Sequence, residues 1–440
     1  IERSVYNKAM DRRLKSYCIL FVLILFTAVI LSGCLSGRTS LEVPDANETQ
    51  VEETNVQLRM LTTMDGSFAS SGIGNEDGYY SLQFNDDGSA NILYTDRSSR
   101  QTVYLSNQIS SSHDNATDTS WIEDGATYLM ADENSLYFVQ SFVGRNMEPT
   151  DKIWRLDPNG ENRKILMELE PNQRLPQAVA SDGTYLYMVI ETVSQDASSS
   201  YSLYRTSIAS GKKEKITDLA GNEFLIGAYK EWLVFKSTPA FESMTESDTC
   251  GSLFLFSIKD CRKQLLLKWS PETHYGIVHE GRYYYLQCDF DRRSAQLYSL
   301  NLENGDTVCI KSGLPIGDSL DTTYFEGIYD GKFLYYVGSA DSENVLVIHY
   351  AGYAVSSSDG ALEEVTLTSN FQGETYVKIL WEFKDCFLVR NGEVIETKVL
   401  EGIDGTSYTA KIPAPQWALI AKEDFWSNNP NYQTISPVSG

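Results

Sequence analysis

The chain has 440 residues, of which 36 are basic and 60 acidic, for a net charge of −24. That balance opposes nucleic acid as a partner, because phosphate binding requires clustered cations, and it opposes charge-driven attachment to anionic headgroups. The length fits two or three ordinary domains or one large repeat architecture.

In chain order, the first element is a short basic stretch, Arg12, Arg13 and Lys15, followed by an apolar run from Cys18 to Leu31 broken only by Thr27. Ser32, Gly33 and Cys34 come next. This is the order of a secretory signal: basic flank, apolar core, small residues. The basic flank is expected to stay cytoplasmic. The run is shorter than the roughly 18 to 20 residues a spanning helix needs, which opposes an uncleaved anchor. Leu31-Ser32-Gly33-Cys34 resembles the lipobox of bacterial lipoproteins. The resemblance implies that the Cys34 thiol takes a diacylglyceryl group and that cleavage leaves Cys34 first in the mature chain. Two acyl chains hold a protein stably where one is marginal. Residues 1–33 are therefore expected to be a signal peptide, with Met10 as its start. Residues 34–56 are expected to be the lipidated Cys34 and a flexible acidic tether, and residues 57–440 the folded part. Without residues 1–33, 31 basic and 58 acidic side chains remain, a net of −27. The expected location is extracytoplasmic, anchored to the outer face of the cell membrane, or to the outer membrane in a Gram-negative cell.

From residue 77 onward a short unit recurs, an acidic or polar turn and then an aromatic-rich strand. It begins at Asp77, Glu133, Asp182, Lys230, Glu280, Asp330 and Lys384, at spacings of 56, 49, 48, 50, 50 and 54 residues. Each unit has a second half. In the third, Ser202-Leu203-Tyr204-Arg205-Thr206 leads through Ser210-Gly211 to Glu214-Lys215-Ile216. Asn-Gly and Ser-Gly between β-rich runs are hairpin signals, since Gly supplies the positive φ those turns require. One more apolar run precedes each acidic turn, as in Phe325-Glu326-Gly327-Ile328. Four strands in about 50 residues make the blade of a β-propeller. The reading is all-β, with seven blades; an eighth would have to come from Trp417-Ala418-Leu419-Ile420 and the N-terminal strand, because ring closure normally joins the two ends. The 27 Tyr, 18 Phe and 7 Trp are first of all packing between blades. Tyr185, Tyr187, Tyr283, Tyr285, Phe333 and Tyr335 hold equivalent alternating positions, so they are expected to be buried on one common face of their blades.

Asp157-Pro158-Asn159-Gly160, and Ala418-Leu419-Ile420 with Asp424-Phe425-Trp426, resemble the corresponding runs of TolB-like propellers and of surface lipoproteins of intestinal Gram-positive bacteria. The likeness implies a fold and a location rather than an activity. Some such proteins carry a Cys-x4-Cys-x-His…Cys cluster after the first blade. The aligned stretch here holds Ser106, Ser111, His113 and Asp118, so the sulfur ligands are gone.

No catalytic, cofactor or metal site emerges from the residues. There is no G-x-S-x-G elbow, P-loop or H-E-x-x-H. His274 and His279 are five apart and face opposite sides of a strand; His113 and His349 read as structural or solvated. Asn85-Asp86-Asp87-Gly88 and Asp289-Phe290-Asp291 invite calcium but do not complete an EF-hand loop. Ser181-Asp182-Gly183-Thr184-Tyr185 is a partial echo of a sialidase Asp box. Cys250, Cys261, Cys288, Cys309 and Cys386 match no zinc spacing; most are expected to be buried, with room for one disulfide. The expected function is a binding or scaffold module for a protein, peptide or glycan. A carbohydrate-active lyase or hydrolase on the same scaffold and a TolB-like envelope assembly factor are the alternatives.

Overall fold

The computed structural model describes residues 57–438, apart from 63, 66–67, 70–71, 109–110, 144–148, 176–177, 238–250, 270–272, 318–321, 341–347, 372–375 and 402–406. The expected signal peptide, Cys34 and tether lie outside the described residues, as does Cys250.

The seven acidic-turn units are seven four-stranded antiparallel blades of a β-propeller, each contiguous in the chain. Blade 1 is built from Gly72–Gly74, Gly78–Phe84, Ala90–Asp96 and Gln101–Tyr104, in that order from the centre outward, with Trp121–Ile122 added to its third strand. Blades 2 to 6 occupy residues 128–168, 179–219, 223–269, 273–315 and 323–365. Blade 7 comprises Lys378–Glu382, Cys386–Glu401, Ser407–Ala421 and Gln433–Thr434. Its third and fourth strands are joined through a short helix, α1 (Lys422–Trp426). Trp417 to Ile420 lie in the third strand of blade 7, so there is no eighth blade.

Alternation along each second strand sends successive side chains to opposite neighbours, which is why aromatic and aliphatic residues are needed at consecutive positions. The result is seven apolar clusters, one in each gap between adjacent blades. Of the six aromatics expected on one face, Tyr187, Tyr283, Tyr285, Phe333 and Tyr335 are buried and Tyr185 is half-buried. They do not share a face. Tyr187 packs forward on blade 4, whereas Tyr283 and Tyr285 pack back on blade 4 and Phe333 and Tyr335 back on blade 5. The cause is turn length. The blade 3 ladder ends at Ser181 opposite Leu186, leaving a four-residue turn. Blades 5 and 6 end at His279 opposite Arg282 and Tyr329 opposite Lys332, closed by Glu280-Gly281 and Asp330-Gly331, all four with positive φ. The tighter turn adds one rung, and a one-residue slip exchanges the faces.

Closure does not use the N-terminal strand. Arg59–Met60 pairs instead with the innermost strand of blade 3, and the Leu58 amide donates to the Lys230 carbonyl of blade 4 at 2.7 Å. The ring is closed by the C-terminal tail. Gln433–Thr434 is the outer strand of blade 7, and Ser436 then bridges to Gln101 on the outer strand of blade 1.

Candidate functional site

The gap between blades 6 and 7 is filled by α1. Phe425 is fully buried, edge-on to Phe387 at 5.2 Å. Lys422 Nζ reaches Glu382 at 2.6 Å and Asp330 at 3.3 Å, and Trp426 Nε1 donates to Asp330 at 3.1 Å. Burial alone would lower the Lys422 pKa, but its bonds to Glu382 and Asp330 outweigh that and raise it. Among the described residues no comparable helix fills the next gap. Between blades 7 and 1 the apolar cluster has only five buried residues, Tyr79, Phe383, Leu388, Leu419 and Ile435, against thirteen between blades 6 and 7. The inner end of this seam is tight: a Cβ on Gly74 would lie 2.4 Å from the Trp381 ring. Toward the periphery it opens into a cleft of about 710 Å³.

The cleft walls are turns. Blade 1 contributes Glu76 and Asp77 from its first turn and Asp96 and Arg97 from its last, and blade 7 contributes Asp385 and Cys386. Local hydrogen bonds set these turns. Asn75 Oδ1 accepts the amides of Asp77 and Gly78, at 3.0 and 2.9 Å, an Asx turn that holds Glu76 and Asp77 outward. Asp96 accepts the Ser99 amide and the Ser98 hydroxyl, which hold its carboxyl below the usual carboxylate range. Arg97 crosses the seam to pair with Asp385 and lies 5.1 Å over the Phe383 ring. Four carboxylates thus face one guanidinium, and that one is committed to Asp385.

The other polar groups are not activated. Burial, with the charges of neighbouring Asp96 and Asp77 and the Tyr80 phenol, pushes the Tyr94 hydroxyl up to about 12. Burial also raises the Cys386 thiol; Arg97 draws it back and Asp385 adds to the rise. A thiol shifted upward is a poor nucleophile near neutral pH. The arrangement can attract and hold a cation.

On the opposite face, the loop after blade 1 brings together Ser106, Ser111, His113 and Asp118. Asp118 is buried, and its Oδ2 accepts Ser106 Oγ at 2.7 Å and bonds His113 Nδ1 at 2.8 Å. Its Oδ1 accepts Ser120 Oγ at 2.6 Å. Burial alone would push Asp118 up; the bonds from Ser120, Ser111 and Ser106 outweigh it and hold the carboxyl well below the usual range. The imidazole stacks on Tyr104 at 4.0 Å. The serine hydroxyls around Asp118 donate to it rather than to the ring, so the cluster is a hydrogen-bonded knot that pins the loop.

The remaining sequence candidates are turns. Asp87 caps its own hairpin through the Ser89 amide and hydroxyl, and Asp289 accepts the Arg292 amide. Asp182 takes the Thr184 and Tyr185 amides on Oδ1 and the Tyr187 phenol on Oδ2; Asp132 repeats the pattern with Asn134 and Tyr137. His279 lies 4.0 Å from Glu280, and His349 accepts Ser339 Oγ through its carbonyl. No group of three or more His, Cys, Asp or Glu among the described residues is placed to hold a metal. The cysteine expectation needs correcting: Cys261 and Cys309 are exposed and Cys386 half-buried, and only Cys288 is buried; all four are free. The exposed two sit on blade edges, Cys261 in a positive-φ turn, where no core claims them.

No family model matches this chain, and no curated relative does. Several solved structures are distantly similar to it. An oligogalacturonate lyase from Vibrio parahaemolyticus is 11% identical, with 85% of this chain and 96% of that chain covered and a TM-score of 0.48. The β-propeller domain of the Trilobed protease from Pyrococcus furiosus is 11% identical over 84% of this chain and 98% of that one, with a TM-score of 0.47. TolB from Acinetobacter baumannii is 13% identical over 77% and 81%, with a TM-score of 0.32. This chain is a seven-bladed β-propeller that distantly resembles these three.

Proposed function

We propose that this chain is a lipid-anchored, extracytoplasmic binding propeller whose seam cleft takes the cationic side chains of a polypeptide. One observation carries the reading: the cleft between blades 7 and 1 gathers Glu76, Asp77, Asp96 and Asp385 against the single, already paired Arg97. Uncompensated carboxylates in a concave site favour a cation and steer it in. A peptide with Lys or Arg fits this chemistry better than a neutral glycan. Such binding weakens with salt, because exposed charges are screened beyond about 10 Å at 0.1 M ionic strength.

Titration calorimetry with Lys/Arg-containing, neutral and acidic peptides and a neutral oligosaccharide tests this. Binding confined to the basic peptides is expected, reduced at least about tenfold in Glu76→Gln/Asp77→Asn, the loss of roughly 1.4 kcal/mol. Both residues are exposed, so the fold is spared. Binding of the oligosaccharide alone, or indifference to the double substitution, refutes the reading.

The anchor rests on the apolar run and on Leu31-Ser32-Gly33-Cys34. Metabolic labelling with a fatty acid is expected to mark the wild type and to be lost completely in Cys34→Ala. Equal labelling of both refutes lipidation at this residue.

A further inference from the structure

Residues 58–61 lie inside the ring of blades. Arg59–Met60 pairs along the channel side of Val179–Ser181, the innermost strand of blade 3, with Arg59 opposite Ser181 and Met60 opposite Ala180. The Leu61 amide donates to the Val179 carbonyl at 2.9 Å, and the Leu61 carbonyl accepts the Ala131 amide of blade 2 at 3.4 Å. Leu58 is buried between blades 3 and 4, and Leu61 between blades 2 and 3. Three neighbouring blades thus hold the segment, which fixes where the chain before it leaves the fold.

The pairing also sets a direction. Ser181 adjoins the first turn of blade 3, so the chain moves away from that turn as it passes from Arg59 to Leu61. The contacts of its earlier end agree. Leu58 meets the carbonyl of Lys230, in the first turn of blade 4, and Arg59 Nη1 pairs with Glu133, in the first turn of blade 2, at 2.8 Å. Blades repeated around a channel run their innermost strands the same way, so their first turns share one face. The chain preceding Leu58 therefore leaves from the centre of the first-turn face. The seam cleft opens on that same face, since Asp77 and Asp385 stand in the first turns of blades 1 and 7.

Resting on the lipid anchor and the cleft proposed above, we propose that the first-turn face is turned toward the membrane that holds the chain. The cationic polypeptide taken by the cleft then lies at the surface of that same membrane. Residues 34–56 number 23, and a flexible chain of that length spans about 26 Å end to end. Turning the opposite face to the membrane requires the tether to cross four strands, about 14 Å, and then the height of a blade, about 23 Å. That path exceeds the span of the tether, whereas the first-turn face needs no detour. The acidic face is not pressed onto headgroups, because about 26 Å is well beyond the screening length of about 10 Å at 0.1 M ionic strength. The gap that remains admits a polypeptide, since even a helix with its side chains is only about 10–12 Å across.

Fluorescence transfer from the full lipidated chain to an acceptor-labelled headgroup in phosphatidylcholine vesicles tests the orientation. Thr184 and Gln195 flank one strand of blade 3, Tyr185–Val193, and both are exposed. The donor is placed on Thr184→Cys or Gln195→Cys, in a chain carrying Cys250→Ser, Cys261→Ser, Cys309→Ser and Cys386→Ser. The two positions lie about 30 Å apart on opposite faces, so transfer at least about twofold stronger from position 184 is expected. Equal transfer, or stronger transfer from position 195, overturns the proposal and leaves the anchor standing. No transfer from either position, unchanged in Cys34→Ala, overturns both. For the partner, carbodiimide coupling of the chain with its native cysteines to a Lys/Arg peptide linked to lipid in the same vesicles is expected, and its loss in Glu76→Gln/Asp77→Asn. Coupling of the same peptide free in solution but not of the lipid-linked form overturns the proposal and leaves the cleft reading standing. Coupling of neither, or coupling that the double substitution leaves unchanged, overturns both.

Discussion

Phe333→Ala is expected to destabilise the propeller by about 3–5 kcal/mol, the penalty for truncating a fully buried aromatic. Phe333 is fully buried in the gap between blades 5 and 6, stacked on Phe325 at 4.3 Å and tilted against Tyr335 at 6.1 Å. Strands on both sides of the gap fix its neighbours, so the space left by the ring cannot collapse readily. Tyr185→Ala is the instructive comparison. Its ring is half-exposed at the rim of blade 3, with the Arg205 guanidinium 4.9 Å above it. Only about 1 kcal/mol is expected there, the range of partly exposed positions. Urea midpoints with an unchanged slope measure both. A Phe333→Ala loss no larger than that of Tyr185→Ala would contradict the packing described between the blades.

The contrast between these two residues marks where the sequence stops being legible. The period of about 50 residues, the four strands per unit and the hairpin glycines are local signals, and each survives in the structure. Which neighbour an aromatic faces is set by whether the turn before it has two or four residues. Asp182-Gly183 and Glu280-Gly281 look alike in sequence and yet close different turns. A further recurring feature escaped for the same reason: the innermost strands of blades 4, 5 and 6 each shift register just before Gly227, Gly276 and Gly327. At Gly227 a Cβ would lie 2.6 Å from Val278 of the next blade. At Gly227 the approach that requires the glycine is tertiary, whereas at Gly276 and Gly327 a Cβ would meet Tyr283 and Tyr329 of the same blade. The cleft was half legible. Asp77 and Asp385 stand in the first and last repeat units, and only closure of the ring brings them to one seam, with Arg97 bridging 288 residues of chain to Asp385. The Asp118 and His113 knot was visible as a list of residues; its chemistry followed from burial and hydrogen-bond direction, which a list does not carry.

The manner of that closure sets the second large effect. Deleting residues 430–440 is expected to cost at least the 2–5 kcal/mol of truncating a buried aliphatic side chain such as Ile435, which is 4% exposed. The deletion removes more than that side chain. Gln433–Thr434 completes blade 7 against Ala418 and Leu419. Ser436 accepts the Thr102 amide at 3.1 Å and donates to the Arg100 carbonyl at 2.9 Å, the main-chain link between the outer strands of blades 7 and 1. Each lost hydrogen bond adds about 1 kcal/mol. Among the described residues no other strand is placed to substitute, because Arg59–Met60 is committed to blade 3, and the seam's apolar cluster is the smallest among them. Loosening should therefore begin locally. Hydrogen exchange is expected to show lost protection in Gln101–Tyr104 and at Ala418 and Leu419, while blades 3 to 5 keep theirs. Protection lost evenly around the ring would mean that the propeller unfolds as one unit with no weaker seam, and unchanged protection at Gln101–Tyr104 would mean that the tail does not hold the ring closed.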